Sequence, residues 1–263
     1  MPRQSDKAER FRALHDRAFV IANAWDAGSA RILAGLGFQA LATSSGAHAG
    51  TLGRRDGQVT RDEALEHARA IVEATELPVS ADFENCFADE PPAAAETVRL
   101  AAEIGLAGCS IEDSVQSRIY PFELAVERVA AAARNSQLVL TARAENFVRG
   151  RADLDDTIRR LQAFEKAGAD VLMAPGLPDL ESVRKVCMSL SRPFNFMAGI
   201  RGKSFSVAEL QAAGVRRISL ATSLWRAAMS GLIEAAREVK EKGTFGYIER
   251  SLATPDLARF MRT

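Results

Sequence analysis

Residues 108–143, GCSIEDSVQSRIYPFELAVERVAAAARNSQLVLTAR, contain the pattern that decides the fold. An apolar run, Gly108–Glu112, is followed by an amphipathic segment, Pro121–Arg134, and then by a second apolar run, Leu138–Arg143. Short apolar runs are typical of buried strands, and a 3.6-residue period is typical of helices. A strand, a helix and a strand in this order predict two parallel strands joined by a helical crossover.

The same alternation continues on both sides of this unit. It predicts further strands at Phe19–Ala22, Ala40–Thr43, Val79–Asp82, Asp170–Ala174, Phe194–Met197 and Arg217–Ala221. It predicts further helices at Ser29–Gly35, Arg61–Thr75, Pro92–Ile104, Asp153–Ala167, Asp179–Ser189, Val207–Ala213 and Leu224–Lys242. Eight strand–helix units in about 240 residues predict an α/β fold, the (β/α)₈ TIM barrel. A doubly wound sheet would need a glycine-rich fingerprint after its first strand, and NAWDAGSA has none.

The domain organisation follows from the barrel. We expect residues 1–263 to form a single (β/α)₈ barrel domain, with residues 243–263 as a C-terminal tail that packs on the barrel or on a neighbouring subunit. The segment AHAGTLGRRDG, residues 47–57, is predicted to be a long loop after the second strand. The apolar final helix is consistent with either a subunit interface or packing on the barrel.

The composition excludes several classes of protein. Lys and Arg together number 34, as do Asp and Glu, so there is no electrostatic reason to expect a nucleic acid or a membrane as partner. The apolar stretches are too short to span a membrane. Three cysteines, Cys86, Cys109 and Cys187, lack metal-ligand spacing and are typical of reduced thiols in a cytoplasmic protein. We therefore expect an enzyme-sized domain whose partner is a small molecule.

Acidic residues follow two neighbouring strands at the end where barrel enzymes carry their active sites. Asp82 and Glu84 alternate at the end of the third predicted strand, and Glu112 ends the fourth. Three carboxylates at one mouth would repel one another without a cation, and oxygen ligands favour Mg²⁺, with Mn²⁺ as an alternative. Arg143, at the end of the fifth strand, offers a planar fork for a substrate carboxylate. The turn Ser44-Ser45-Gly46 offers hydroxyl and backbone N–H groups for a second anionic group. The pattern indicates a pocket for a small dianionic 2-oxo acid bound to a hard cation.

Simpler explanations stay open for some of these residues. Asp113 is equally consistent with a helix cap or an ion pair, and Arg143 could neutralise only Glu145. His48 is expected to be a solvated loop residue, with a catalytic acid as the alternative. His15 and His67 are expected on helix surfaces. The loop Gly199–Ser204 ends like a phosphate-binding P-loop but has Met197 where the first glycine would stand, which leaves a phosphosugar barrel as a minor alternative.

The order and spacing of several motifs resemble those of the isocitrate lyase/phosphoenolpyruvate mutase superfamily over nearly the whole chain. The motifs are NAWDAGSARILAGLGFQALATSS (23–45), LGRRDG (52–57), SADFEN (80–85), SIED (110–113), TARAE (141–145) and GADVLMAPGLPDL (168–180). The resemblance implies a barrel whose last helix is swapped between subunits in a homodimer or homotetramer. It also implies enzymes that bind Mg²⁺ and a 2-oxo acid or its enolate and that make or break a C–C or P–C bond.

The resemblance also implies roles for residues at matching positions. Ser44, Ser45 and Gly46 would hold the substrate carboxylate and the 2-oxo oxygen, and Asp56 would lie near the reacting group. Asp82 would be the main metal carboxylate, with Glu84 and Glu112 completing the shell. Arg143 would bind a substrate carboxylate. Residues 113–118 would form a mobile gate that excludes water. The expected catalytic residues are therefore Ser44, Asp56 and Arg143.

The departures from the superfamily pattern bear on the reaction. Isocitrate and methylisocitrate lyases carry a Lys-x-Cys-Gly motif in the gate, and residues 113–118, DSVQSR, contain neither lysine nor cysteine. Phosphonopyruvate-handling members also favour a lysine there. We therefore expect the oxaloacetate-decarboxylase-like or uncharacterised branch: a magnesium-dependent lyase that cleaves or decarboxylates a small 2-oxo dicarboxylate through a pyruvate-type enolate. The alternatives are a P–C bond enzyme acting on phosphonopyruvate or phosphoenolpyruvate, a metal-dependent 2-oxo acid aldolase with His48 as base, and a barrel that binds an oxo acid without turnover.

Overall fold

A computed structural model describes residues 3–134, 137–203 and 205–261. Its helices are α1 (Gln4–Leu14), α2 (Ala27–Gly35), α3 (Ser45–Thr51), α4 (Arg61–Ala74), α5 (Pro91–Glu103), α6 (Phe122–Ala133), α7 (Leu154–Lys166), α8 (Leu180–Met188), α9 (Val207–Ala212), α10 (Ser223–Lys242) and α11 (Thr254–Ala258). A 3₁₀-helix covers Gly246–Arg250. Its strands are β1 (Phe19–Asn23), β2 (Leu41–Ala42), β3 (Val79–Asp82), β4 (Gly108–Glu112), β5 (Ser114–Val115), β6 (Arg118–Ile119), β7 (Val139–Arg143), β8 (Val171–Met173), β9 (Phe194–Met197) and β10 (Arg217–Ser219).

Eight of the strands close into a parallel barrel in the order β1-β10-β9-β8-β7-β4-β3-β2. This confirms the predicted (β/α)₈ TIM barrel. Each barrel strand lies within two residues of its predicted range at either end. Strands β5 and β6 form a separate antiparallel hairpin after β4.

Side-chain hydrogen bonds cap the first turns of helices α2 and α4. Helix α2 begins two residues earlier than predicted because the Asp26 side chain accepts a hydrogen bond from the Ser29 N–H at 2.6 Å, and the Ser29 hydroxyl pairs with the Asp26 backbone. Thr60 and Glu63 form the same reciprocal cap at the start of α4. Such caps satisfy N–H groups that have no partner within the helix.

The prediction of a loop at residues 47–57 is wrong in its first half, where the structure has α3. Gly46 and Gly50 lower the intrinsic helix propensity of this segment. Burial of Ala47, His48 and Ala49 outweighs that preference. A Cβ atom on Gly50 would lie 2.4 Å from the Trp225 indole, so the glycine allows the start of α10 to pack directly against α3.

Two apolar clusters hold the barrel. The larger one fills the space between the strands and the surrounding helices. The smaller one, which includes Phe11, Phe19, Ile21 and Val139, closes the amino-terminal end of the barrel under α1. Because apolar side chains fill the amino-terminal end of the barrel, the candidate active site lies at the opposite, carboxyl-terminal end.

His15 lies in the floor of the barrel and not on a helix surface as predicted. Its ring makes edge contacts with Phe11 and Phe19 at 5.1 Å each. Its Nδ1 is 2.9 Å from the Phe11 carbonyl oxygen, which can only accept, so Nδ1 carries the proton. Burial, followed by the charge of Arg217, lowers the pKa of His15 from 6.5 to about 3.

This histidine makes stability depend on pH. Between pH 6.5 and 3 the unfolded chain binds a proton at His15 that the folded chain does not, so the stability it contributes is lost as the pH falls below 6.5. We expect His15→Leu to reduce the slope of unfolding free energy against pH by about 1.4 kcal/mol per pH unit in this window. Urea unfolding at pH 4, 5, 6 and 8 measures it, and parallel curves for the variant and the wild type would contradict the assignment.

The tail returns to the barrel through Phe260, whose ring would be 2.5 Å from a Cβ on Gly35 of α2. Helix α10 has no buried residue, and Leu232 is 60% exposed. Residues 1, 2, 135, 136, 204, 262 and 263 of the predicted single domain lie outside the described residues, and the domain assignment stays a prediction. No helix in the described part of the chain is long and apolar enough to span a membrane.

Candidate active site

Polar side chains from six barrel strands line a cavity of about 290 Å³ in the carboxyl-terminal mouth of the barrel. A wider groove of about 1050 Å³ lies beside it. The two share Ser45, Asp56, Glu112 and Arg149 as lining residues. The sequence-predicted residues Ser44, Gly46, Asp82 and Arg143 line the cavity, whereas Glu84 lines the groove.

Arg143 is the centre of the charged cluster. Its Nη1 lies 3.0 Å from Asp82 Oδ1 and 3.0 Å from Glu112 Oε1, and its Nε donates to Glu145 Oε1 at 2.8 Å. The strand register explains the first two contacts, because Arg143 pairs with Glu112 on β4 and Asp82 pairs with Ser110 on the same strand. Arg143 therefore contacts three carboxylates, and the simpler prediction that it pairs with Glu145 alone is too narrow.

Asp82 ends β3 and is held from two further directions. Its Oδ2 accepts from the Ser45 backbone N–H at 3.3 Å and lies 3.2 Å from the Ser45 hydroxyl. Its Oδ1 accepts from the Ser110 hydroxyl at 3.2 Å. The serine turn therefore contacts the predicted metal carboxylate directly.

Glu84 does not continue the alternation of β3 as predicted. The strand ends at Asp82, Phe83 turns into the core, and Glu84 adopts a left-handed backbone with φ of 50°. Its Oε1 is buried and has no hydrogen-bond partner within the described residues. Burial first, and then the negative charges of Asp82 and Asp56, raise the pKa of Glu84 to about 7. A carboxylate in this position favours a positively charged neighbour.

Glu112 is almost fully buried and contacts two arginines. Beyond Arg143, its Oε2 lies 3.2 Å from Arg149 Nη2. Burial raises its pKa well above 4.5, and the charge of Arg143 opposes that effect. Sequence reasoning missed Arg149, which also donates to the Ser114 hydroxyl at 3.0 Å. It lies in a loop beyond Glu145 and Asn146, where no motif or strand end distinguishes it from a surface arginine.

Gly46 lies where the backbone of α3 meets Asp56. An added Cβ would be 3.2 Å from Asp56 Oδ2 and 3.2 Å from Thr222 Cγ2. Gly46→Ala would therefore displace Asp56 by a few tenths of an ångström, and we expect about a tenfold loss of kcat with little change in stability. Gly28→Ala, whose Cβ meets only an ordinary 3.5 Å contact, is the control. An equal kcat in the Gly46→Ala and Gly28→Ala variants would indicate that Asp56 does not take part in the reaction.

His48 is buried and not a solvated loop residue. Its ring stacks on that of His67 with centroids 3.8 Å apart and an interplanar angle of 12°. His67, predicted on a helix surface, is half-buried, and its Nε2 donates to the Trp25 carbonyl at 2.9 Å. Burial lowers the pKa of both rings, that of His67 to about 4. His48 lines neither the cavity nor the groove but lies in a small adjoining pocket with Asp82 and Glu84, and its role as an aldolase base stays a prediction.

The predicted gate begins at a well-anchored residue. Asp113 is buried, forms an ion pair with Arg160 at 3.1 Å and accepts from the Glu145 N–H at 2.8 Å. Of the two simpler explanations, the ion pair is therefore the one that the structure has. Residues 114–119 form the β5–β6 hairpin, and its movement as a gate stays a prediction.

The loop at residues 199–204 offers little for a phosphate. The Lys203 ammonium donates to the Gly176 carbonyl at 2.7 Å, and Ser204 lies outside the described residues.

The donor set fits a hard divalent cation bound partly through water. Within residues 3–134, 137–203 and 205–261, no three His, Cys, Asp or Glu side chains are arranged so that together they could hold a metal ion, so the structure does not bring Asp82, Glu84 and Glu112 together as one ligand set. Mg²⁺ typically keeps several waters and takes only one or two protein carboxylates. Asp82 and the unpartnered Glu84 oxygen at the cavity–groove boundary meet that requirement.

The comparisons with known proteins agree with the barrel fold. The family described as phosphoenolpyruvate phosphomutase matches residues 11–240. A crystal structure from Burkholderia cenocepacia J2315, provisionally assigned as a lyase/mutase, is 46% identical, with a TM-score of 0.95 and coverage of 98% of this chain and 96% of that one.

Among curated proteins, the uncharacterised Rv1998c of Mycobacterium tuberculosis H37Rv is 32% identical, over 88% of this chain and 89% of the relative. The 2-methylisocitrate lyase of Aeropyrum pernix is 27% identical over 80% and 71%, respectively. Oxaloacetate decarboxylase 2 of Pseudomonas fluorescens is 28% identical over 90% and 83%. The two relatives with a named activity are therefore a lyase and a decarboxylase, and they differ in substrate.

Proposed function

The chain belongs to the phosphoenolpyruvate phosphomutase family, and on that premise we propose that this enzyme is a divalent-metal-dependent lyase that decarboxylates a small 2-oxo dicarboxylate such as oxaloacetate. The observation that carries the proposal is the cluster of Asp82, Glu112 and Glu145 around Arg143 in the cavity. It combines carboxylate ligands for a cation with a guanidinium for a substrate carboxylate.

The ion in this proposal is Mg²⁺ or Mn²⁺. Asp82 and Glu84 would hold it together with water, and Glu112 would complete the set. When bound, such a cation supplies positive charge that stabilises an enolate oxygen.

Arg143 is proposed to bind one carboxylate of the substrate. Its bonds to described residues use Nε and Nη1, so Nη2 remains for a ligand. The three carboxylate partners also hold the Arg143 side chain in the cavity. A fork fixed in this way orients the substrate before reaction.

The serine turn is proposed to receive the other polar groups of the substrate. Ser44, Ser45 and Gly46 line the cavity beside Asp82 and would face the carboxylate and the 2-oxo oxygen. Asp56 is exposed and lines both the cavity and the groove, so it would lie beside the reacting carbon.

The composition of the gate favours decarboxylation over cleavage of a hydroxylated acid. When the C3–C4 bond of oxaloacetate breaks, CO₂ leaves without a proton and the electron pair forms the enolate of pyruvate. A single proton then returns from water to C3. Residues 113–118 contain no lysine or cysteine, and decarboxylation needs neither as an acid for the leaving group. This supports oxaloacetate over 2-methylisocitrate, although relatives of both kinds match the chain.

Pyruvate release from oxaloacetate, phosphonopyruvate and 2-methylisocitrate tests the proposal, with and without Mg²⁺. Because metal ions decarboxylate oxaloacetate in solution, the rate without enzyme is subtracted. We expect metal-dependent release from oxaloacetate alone, lost in Asp82→Ala and kept in Asp62→Ala, whose side chain is 83% exposed.

The other outcomes identify the alternatives. Release of pyruvate from phosphonopyruvate would indicate a P–C bond enzyme. Release from 2-methylisocitrate would show that this cleavage does not need a lysine or cysteine in the gate. No release from any of the three, with Mg²⁺-dependent oxalate binding retained, would indicate a barrel that binds an oxo acid without turnover.

We also propose that α10 mediates a homodimer or homotetramer. The helix is 20 residues long, has no buried residue, and leaves Leu232 and Ile233 about half exposed or more. Sedimentation equilibrium tests it, and a monomeric mass at micromolar concentration would overturn it. Swapping of this helix between subunits, like the cytoplasmic location, stays a prediction.

A further inference from the structure

The lumen of the barrel below Arg143 is polar. Barrel interiors are usually filled by branched aliphatic side chains. Here the buried, inward-facing positions of five strands carry small polar groups instead: Ser80, Ser110, Thr141, Asn195 and Ser219. All of these except Thr141 line the 290 Å³ cavity, which therefore extends from the mouth into the lumen.

At the base of this lumen lies Arg217, which is 4% exposed and lines the same cavity. It is the first residue of β10 and pairs in register with Phe19 and Asn195. Its Nε donates to Asn195 Oδ1 at 3.0 Å, and its Nη2 donates to the Thr141 hydroxyl at 2.8 Å. Its Nη1 is buried and has no partner within the described residues.

The charge of Arg217 is not compensated by the groups around it. Both side chains that accept its hydrogen bonds are neutral. The nearby charged group that acts on it, Arg143, is also a cation and repels it. Below it lie the Phe11 ring, 5.8 Å from the guanidinium carbon, and His15, which is neutral above its pKa of about 3. Burial and Arg143 lower the pKa of Arg217 only to about 9, so it is positively charged at neutral pH.

A buried cation of this kind is costly unless an anion accompanies it. Water could satisfy the free N–H groups of Nη1 but would not neutralise the charge. The acidic residues of the mouth are not bonded to Arg217: Asp82, Glu112 and Glu145 contact Arg143 instead. The lumen therefore has a cation, a free donor and short polar side chains around it.

We propose that the lower lumen is a binding site for a small monovalent anion, of the size of a halide or formate, held by Arg217 Nη1 with hydroxyl or amide groups of the lumen. The site is separate from that proposed for the substrate, because a carboxylate entering from the mouth meets Arg143 first. The anion completes the charge balance of the barrel interior and stabilises the fold.

Bromide is the probe, because its anomalous scattering identifies it in a crystal. We expect an anomalous peak within hydrogen-bond distance of Arg217 Nη1. In solution, replacing gluconate, a much larger anion, by bromide at constant ionic strength should raise the midpoint of thermal unfolding. At 100 times the dissociation constant the rise should be about 5 °C.

Variants at two adjacent arginines assign the effect. Arg217→Met should lose the bromide-dependent rise, and Arg217→Lys should keep part of it. Arg216→Met, at the neighbouring exposed position, should keep all of it. If Arg217→Met fails to fold, the crystallographic peak in the wild-type protein still decides the question. Water density alone at Nη1, or an equal bromide effect in Arg217→Met and the wild-type protein, would overturn the proposal.

Oxalate with Mg²⁺ distinguishes a free anion from a substrate carboxylate at this position. A separate site predicts that bromide stays bound at Arg217 when oxalate occupies the mouth, and that bromide does not compete with oxalate. Displacement of bromide by oxalate would overturn the separate site and show that Arg217 binds one end of the substrate.

Discussion

Replacing Arg143 by methionine is expected to lower turnover about 10³-fold and to destabilise the fold by about 3–5 kcal/mol. The side chain is 11% exposed and is the shared partner of Asp82, Glu112 and Glu145. Without it, three largely buried carboxylates repel one another and lose the cation that offsets their desolvation. Pyruvate release and urea unfolding measure the two effects.

Two further variants separate charge from geometry in this experiment. Arg143→Lys keeps the charge but not the fork, so we expect it to regain more stability than activity. Arg149→Met removes an arginine that is more exposed, at 29%, and should lower turnover and the free energy of unfolding less than Arg143→Met does. If Arg143→Lys restored full activity, the fork would not be what binds the substrate.

The second large effect is expected at Arg128, which lies on α6 away from the cavity. This 1% exposed side chain donates to the carbonyl oxygens of Asn85 at 2.5 Å and Asp89 at 2.6 Å, and also to that of Ala88. The three carbonyls belong to the loop after β3. Arg128 therefore holds the loop that begins at Glu84.

This loop needs such support because its backbone is strained. Glu84, Cys86 and Phe87 have backbone φ values of 50°, 56° and 58°, which residues other than glycine rarely adopt. Each such residue costs on the order of 1 kcal/mol or more and persists only where other contacts hold it. Removing one guanidinium would leave three carbonyl groups without that donor and release the strain.

We expect Arg128→Met to lose about 3 kcal/mol of stability and to lower turnover at least tenfold by displacing Glu84. Hydrogen exchange at residues 84–89 should rise in the variant. Arg134→Met, at the exposed end of the same helix, is the control and should change neither quantity. A variant that loses stability but keeps normal kinetics and loop protection would restrict Arg128 to a structural role.

The barrel was predictable from residues whose environment is decided locally. Val79–Asp82 and Phe194–Met197 match their predicted ranges, because each is a short, mostly buried segment between two amphipathic helices. Helix α4 begins at its predicted residue because Thr60 and Glu63 form its cap. Helix α3 was not predictable in this way, because its glycines oppose a helix and only its packing under Trp225 supports one.

The site was predictable in its members but not in its arrangement. The acids and Arg143 stand at strand ends, and barrels place strand ends at one mouth, so their convergence follows from topology. Glu84 departs from the strand pattern because Arg128, distant in the sequence, supports a left-handed turn. His15 and His48 have ordinary helical sequence contexts, and their burial depends on which elements cover them.

The sequence by itself therefore determined the barrel, the family and the candidate residues, because strand periodicity, caps and strand-end position are local properties of the chain. Only the tertiary structure decided that Arg143 bonds three carboxylates at once and that Arg217 lies buried without an acidic partner. The physical reason is that ion pairing and burial depend on distances between residues far apart in the chain: 61 positions separate Arg143 from Asp82, and 76 separate Arg217 from Thr141.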